Sequence, residues 1–528
     1  MCRVTGADRS VETTGVNVTV IDNTHMATQD PETDASAPDA YEQLLERNRR
    51  LTNLQYASMY LNWDQQVMMP EGGAPGRAQQ LSALSATSHE LLVDDDVAAW
   101  LDELDDADLS GEQAACVREI RREYEREANV PSELTERLTR TAAENQQMWQ
   151  DAKAENDFAS FAPRLETMRD LQREKAEYID PNENPYTVLY DGSHPYVSIE
   201  TMEDIFETLR AEIPPLVEEI RENGRELADP WEGEYPEDDQ RELCEAALDF
   251  LGYDWDRGRL DTAPHPFMAG TQFDARVTTR FKPTDPMDAL TATIHEMGHA
   301  TYQLGLREDA YGSPLGNARM SIHESQSRFW ENHVGRTKPF WEVFLPTFTE
   351  HVDGHDDLTV EEIHEAANRI YPDNLIRVEA DELTYHMHII LRCEIDRAFV
   401  GGEIESDEIP GLWNDKMEEY LGVRPETDAE GCLQDIHWTS GFASFQTYTL
   451  GSVVAAQLDA AIRDDLDVDE LVREENFEPI HEWMTEHVHR HGQRYTTPEL
   501  IERATGEKLS AEPFVEYVRG KFEDLYDL

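Results

Sequence analysis

From Ala40 to the C-terminus, apolar residues recur three and four positions apart in one segment after another. A chain patterned in this way buries its apolar face only by forming helices that pack against one another. The stretches AYEQLLERNRRLTNLQYASMYLNW, VAAWLDELDDA, EQAACVREIRREYEREA, SELTERLTRTAAENQQMWQDAKAEN and FAPRLETMRDLQREKAEYID all carry this signature, and short breaks such as MMPEGGAPG and DPNENP separate them. One segment differs. Gln272–Phe281, QFDARVTTRF, alternates in polarity and is β-branched at its centre, which predicts an edge-like strand in a small hairpin. The pattern holds no fixed-period repeat and no long low-complexity linker. The expected fold is mainly α, a single helical domain over 39–528, with 39–264 as an N-terminal helical wall and 265–528 as the half that carries the chemistry. Residues 1–38, polar and patternless, are expected to be a disordered tail, with Met26 a possible start.

Charge narrows the functions open to such a chain. Its 528 residues include 45 basic and 111 acidic side chains, a net charge of −66. Repulsion from a phosphate backbone at every approach excludes nucleic acid as a partner. Only seven of the basic residues are lysines. An acidic, lysine-poor surface stays hydrated in molar salt, where charges are screened within about 3 Å. The expected setting is the cytoplasm of a salt-accumulating cell. No run of 18 apolar residues exists to span a membrane, and the N-terminal segment lacks the apolar stretch of a signal peptide. Five widely spaced cysteines without a C-x-x-C pair read as reduced thiols rather than a disulfide framework or a thiolate metal site.

The chemistry is concentrated just after the strand. In KPTDPMDALTATIHEMGHATYQLG, Asp285 fits a helix N-cap, Pro286 the first helical position, and Gly305 the residue that closes the helix. Between them lies His295-Glu296-Met297-Gly298-His299, an H-E-x-x-H pattern. Histidines four apart project from one helical face and can hold one zinc ion, and the glutamate beside the first can accept a proton from the attacking water. Two histidines bonded on an ordinary helix are the bland alternative. The third ligand sets the subclass. Tyr302 and Gly305 stand where the extended motif of metzincins needs glycine and histidine, which excludes that class. Glu324, in SIHESQSRFWENH on the next predicted helix, is the preferred ligand, and Asp309 in REDAYG is the alternative. His323 either orients a ligand or sits on the surface.

With these motifs read, the chain from Ala40 to its end resembles the carboxypeptidase Taq family of zinc metallopeptidases. Beside HEMGH and HESQS, the similar segments are WDQQVMMPEGGAPGRAQQL, HPF at His265–Phe267, DARVTTR at Asp274–Arg280, IRVEADELTY at Ile376–Tyr385 and GCLQDIHWTSGFASFQTYTLG at Gly431–Gly451. The resemblance implies a helical fold with a long, deep groove, often a homodimer. It implies removal of single C-terminal residues from peptides, with broad side-chain tolerance and proline disfavoured, under activation by zinc or cobalt. Carried over by position, it makes His295, His299 and Glu324 the metal ligands and Glu296 the general base. Arg377 and Tyr448 fall where the family holds the substrate's terminal carboxylate and reaction centre.

Chemistry bears on those roles separately. An exopeptidase needs a fixed cation for a free α-carboxylate, and arginine offers a bidentate fork. Arg377 lies near Glu379 and Asp381, so a purely structural ion pair is its alternative role, and those two acids are expected to support rather than catalyse. Tyr448 or His437 can donate to the developing oxyanion; a buried aromatic with a satisfied hydroxyl is the alternative for Tyr448. Arg276 and His265 are weaker candidates for the groove wall. One departure stands out: where the family reads G-Y-F-P-T-Y, this chain has Ala443, Ser444, Phe445, Gln446, Thr447 and Tyr448, which puts the shape of that loop in question. The competing functions are a zincin-type endopeptidase, which needs no carboxylate-binding arginine, and a non-catalytic metal- or peptide-binding protein, which has no use for Glu296.

Overall fold

The computed structural model describes residues 38–528; the expected N-terminal tail and Met26 lie outside the described residues. The mainly α reading holds. Each amphipathic stretch is a helix: Asp39–Val67, Asp95–Leu104, Gly111–Ala128, Ser132–Glu155 and Phe158–Ile179. Their starts follow local chemistry, as where Ser110 and Gln113 form a reciprocal capping box. The break MMPEGGAPG is shorter than its composition suggests, because one 3₁₀ turn at Glu71–Gly73 is followed at once by a helix from Ala74.

Most buried apolar side chains form one continuous core from Ala152 to Tyr526. A smaller core lies beneath the first helices, where Tyr41, Leu44, Leu101, Cys116 and Ile120 pack with Ala310 and Leu315. Cys116, Cys244, Cys393 and Cys432 are buried free thiols. No helix among the described residues is long and apolar enough to cross a membrane.

The expected hairpin is present but belongs to a larger sheet. Strands β1 (Gly258–Thr262), β2 (Met268–Gly270) and β3 (Ala275–Thr279) run in the order β1-β3-β2, with β1 parallel and β2 antiparallel to β3. The predicted strand is thus shorter, and it is central rather than an edge. Both its sides are paired, so β3 has no free backbone to offer a peptide. The β1 segment, GRLDT, lacks the β-branched density that would have announced it.

Strand β3 leads into the helix Pro286–Gly305, which we term the motif helix. Asp285 caps it, its side chain accepting from the backbone N–H of Met287 and Asp288. Thr279 donates to the Ala289 carbonyl, and Asp288 pairs with Arg280 and Lys282, so strand and helix are fastened at their junction. Gly305 is the last helical residue rather than the residue beyond it. Its smallness serves packing: a Cβ there would lie 2.8 Å from the Cβ of His489.

Two glycines decide how closely the central helices approach. Helix Met320–Arg328 lies between the motif helix and helix Gln446–Asp465. A Cβ on Gly298 would stand 2.6 Å from both the Gln326 carbonyl oxygen and Ser327 Cα, and one on Gly451 2.5 Å from Glu324 Cβ. Backbone cannot give way as a flexible side-chain end can. Gly298→Ala is therefore expected to destabilise the fold by about 2 kcal/mol or more, read as a lowered thermal midpoint in molar salt, despite alanine's better helix propensity.

Candidate functional site

His295 and His299 leave the motif helix on one face, and Glu324 faces them from the next helix. One ligand atom from each lies within 4.8 Å of the other two. His295 Nδ1 is 2.9 Å from Glu331 Oε2, and His299 Nδ1 is 3.0 Å from the His323 carbonyl oxygen. Carboxylate and carbonyl only accept, so each histidine, when neutral with its proton on Nδ1, turns a bare Nε2 inward. Glu324 Oε1 accepts from Arg328 Nε at 2.9 Å, which leaves Oε2 facing His295 Nε2 at 3.9 Å and His299 Nε2 at 3.6 Å. Three ligand atoms thus converge on one point. The donor set fits a divalent cation of the zinc kind.

Glu296 is buried beside this cluster, and its Oε2 has no hydrogen-bond partner. Burial pushes its carboxyl up to about 7. A cation in the cluster would draw it back down and keep it a proton acceptor. Asp309, the alternative ligand, is on the surface and paired with Arg307 at 2.8 Å, and it lies outside the cluster. His323 is not a surface residue: its ring packs 4.5 Å from that of His299, and Gln303 meets its Nε2.

Behind the histidines stands a residue that sequence reasoning passed over. Glu331 lies in a π-helical turn, Phe329–Gly335, and contacts His295, Arg328 and Arg336. Burial opposes its charge, but Arg336 and Arg328 outweigh this and hold the carboxyl well below the usual range. Its place seven residues after Glu324 was the available signal, since i and i+7 share a helical face.

A line of contacts runs from this cluster to Arg377. Arg328 lies 5.1 Å over the ring of Tyr385, whose hydroxyl accepts from Arg377 Nη1 at 3.1 Å. Arg377 stacks 5.4 Å over Tyr448, and its Nε donates to Asp435 at 2.8 Å. The ion-pair partner is thus Asp435, not the nearby Glu379 or Asp381. Asp381 is wholly taken up by the backbone N–H groups of Tyr371, Leu383 and Thr384 and by the Thr384 hydroxyl. Asp435 also binds Arg392 at 2.5 Å, and although burial works against its charge the two guanidiniums hold it low. Arg377 Nη2 has no protein partner among the described residues.

Tyr448 and His437 share a hydrogen bond of 3.3 Å between hydroxyl and Nε2. Burial lowers His437 to about 4 and raises Tyr448 to about 12, so both are neutral near pH 7. The two weaker candidates do not join the cluster. Arg276 is held by Asp274 at 2.6 Å and stacks over Tyr60 and Trp63 of the first helix, and His265 is exposed between β1 and β2. The pairing of Asp435 with Arg377 and Arg392 carried no sequence signal, because those contacts join segments 58 and 43 residues apart.

A cluster of two half-buried histidines and a buried glutamate in a helical shell, with a second glutamate at its side whose Oε2 is unpartnered, is the arrangement of a metallopeptidase. The chain belongs to the carboxypeptidase Taq (M32) metallopeptidase family, whose model matches residues 43–522. It is 36% identical over 486 residues to carboxypeptidase 1 of Bacillus subtilis, covering 90% of this chain and 97% of that one. Thermostable carboxypeptidase 1 of Thermus thermophilus is also 36% identical, over 505 residues, covering 92% and 99%. The crystal structure of the M32 carboxypeptidase from Deinococcus radiodurans R1 superposes with a TM-score of 0.89 at 35% identity, covering 93% of this chain and all of that one. PZ peptidase A, at 12% identity and a TM-score of 0.52, shares the fold alone. The chain is a metallocarboxypeptidase.

If Glu331 fixes the His295 tautomer, Glu331→Gln should weaken divalent-metal affinity about 10–100-fold while the protein stays folded. Competition with a chelator measures this, and unchanged affinity would remove Glu331 from the site.

Proposed function

We propose that this chain removes single C-terminal residues from peptides with a zinc ion held by His295, His299 and Glu324. The observation that supports this best is the continuous contact line from Glu324 through Arg328 and Tyr385 to Arg377. It links the cluster to a guanidinium whose Nη2 has no protein partner among the described residues, and a terminal carboxylate needs a fixed cation.

When bound, the metal supplies Lewis acidity for the attacking water and the scissile carbonyl. Glu296 Oε2 takes the proton that the water loses as its oxygen adds to the carbonyl carbon. The Tyr448 hydroxyl donates to the oxyanion that forms. As the C–N bond breaks, Glu296 delivers the proton to the departing amine nitrogen. Arg377 pairs with the terminal carboxylate, so only the last peptide bond reaches Glu296. Burial around Glu296 excludes bulk water and keeps its carboxylate unsolvated and basic.

The same reading includes cobalt as a substitute, broad tolerance of the C-terminal residue other than proline, and a homodimer. These parts rest on family resemblance. The acidic, lysine-poor composition supports a cytoplasm rich in salt.

In molar salt with added zinc, the enzyme should release single residues from a free-acid peptide and spare its C-terminal amide; internal cleavage of both would mean an endopeptidase. Glu296→Gln should retain metal and lose nearly all turnover, and normal turnover would dismiss it as the base. Glu324→Ala should empty the site of metal while Asp309→Ala leaves it filled, and the reverse would exchange their roles. Arg377→Ala should depress kcat/KM for free-acid peptides without changing metal content.

A further inference from the structure

The loop ahead of Tyr448 holds a backbone feature that the departure from the family motif makes informative. Ala443 has a φ of +61° in the left-handed region, one of five such non-glycine positions among the described residues, and it is fully buried. This is the position where the family motif reads glycine. An L-residue there is strained relative to its right-handed form, so something must hold it.

The holding group is Asp396, on the helix Tyr385–Gly401. Its Oδ2 accepts from the Ala443 backbone N–H at 3.0 Å, and its Oδ1 accepts from the indole N–H of Trp438. Asp396 is 1% exposed and forms no ion pair among the described residues; Arg392, one turn earlier on its helix, attracts it from a distance but is bound to Asp435. A carboxylate buried without a cation is expensive, and it survives where two acceptor oxygens are needed at once. Burial raises its carboxyl to about 7, consistent with that cost.

The two groups it ties stand at opposite ends of one loop. Trp438 follows His437 in the 3₁₀ turn His437–Thr439, and Ala443 lies three residues before helix Gln446–Asp465, which carries Tyr448. The loop closes on itself through the 3.3 Å bond between His437 Nε2 and the Tyr448 hydroxyl. Residues beyond Ala443 are fastened separately, Gln446 by Tyr186 and Thr447 by His194.

We infer that Asp396 is a positioning residue for the reaction: it clamps both limbs of the 437–445 loop, holds Ala443 in its left-handed conformation, and thereby sets the His437–Tyr448 pair against the substrate. This rests on the proposed role of that pair, and the test separates the two claims.

Asp396→Asn keeps one acceptor oxygen but turns an N–H₂ toward the other donor, breaking one tie. With a free-acid peptide it should lower kcat at least tenfold, with metal content unchanged and a smaller change in KM, since Arg377 is untouched. Glycine adopts φ +61° without strain. Ala443→Gly should therefore leave the wild-type rate in place and, combined with Asp396→Asn, recover at least half of the lost activity on a logarithmic scale. A loss that Ala443→Gly does not rescue would reduce Asp396 to general structural support and overturn the inference, as would an Asp396→Asn enzyme with wild-type kcat. Tyr448→Phe is the control for the underlying reading. A strong loss there beside an unaffected Asp396→Asn rejects the clamp alone, whereas no loss there rejects the role assigned to the pair.

Discussion

The close approach of three helices at Gly298 and Gly451 is the constraint on which the rest of the site depends. The motif helix supplies two histidines, but Glu324 joins them only because another backbone comes near enough to present it. Gly298 admits the backbone of Gln326 and Ser327, and Gly451 admits the side chain of Glu324 from the other side. Because Tyr448 is three residues before Gly451 on the same helix, the contact that seats Glu324 also fixes Tyr448 relative to it. Packing and chemistry are therefore one problem here. Interiors this dense do not deform continuously, so the positions of Glu324, Glu296 and the Tyr448 hydroxyl are set together.

Electrostatics builds outward from that seat in alternating charge. Glu324 takes Arg328, Arg328 reaches Glu331, and Glu331 takes Arg336 and His295. On the other side Arg377 and Arg392 share Asp435. Each of these buried charges has an opposite partner, which is the condition under which burial is tolerated. Three buried carboxyls named above do without one, and Asp381 is held by the backbone N–H groups of Tyr371, Leu383 and Thr384 and by the Thr384 hydroxyl. Glu296 has an oxygen with no partner, and Asp396 has only neutral donors, and both are pushed up to about 7. Such exceptions mark places where local stability has yielded to another requirement.

Much of this was legible beforehand, for reasons visible in particular residues. The motif helix announced itself through Asp285, Pro286 and the four-residue spacing of His295 and His299, all local signals that need no tertiary contact. Its end is not legible in the same way, since Gly305 looks like a terminator and is instead a packing residue against His489. The strand is legible but its central place is not, because its neighbour β1 has an ordinary composition and pairs with it across 17 residues. Asp309 and Glu324 were both open as ligands because spacing alone cannot say which acid faces the histidines; Arg307 takes up the first.

By itself the sequence determined the helical class, the start of the motif helix, the pairing of two histidines with an adjacent glutamate, and the acidic surface. These follow from periodicity, capping and composition, which act over a few residues or over the whole chain. Only the tertiary structure decided that Glu331 orients toward His295, that Arg377 answers to Asp435 rather than to its neighbours, and that Ala443 is held left-handed by Asp396. Each of these joins segments whose separation along the chain carries no periodic signal. A buried charge takes the partner that the packing of distant helices brings to it.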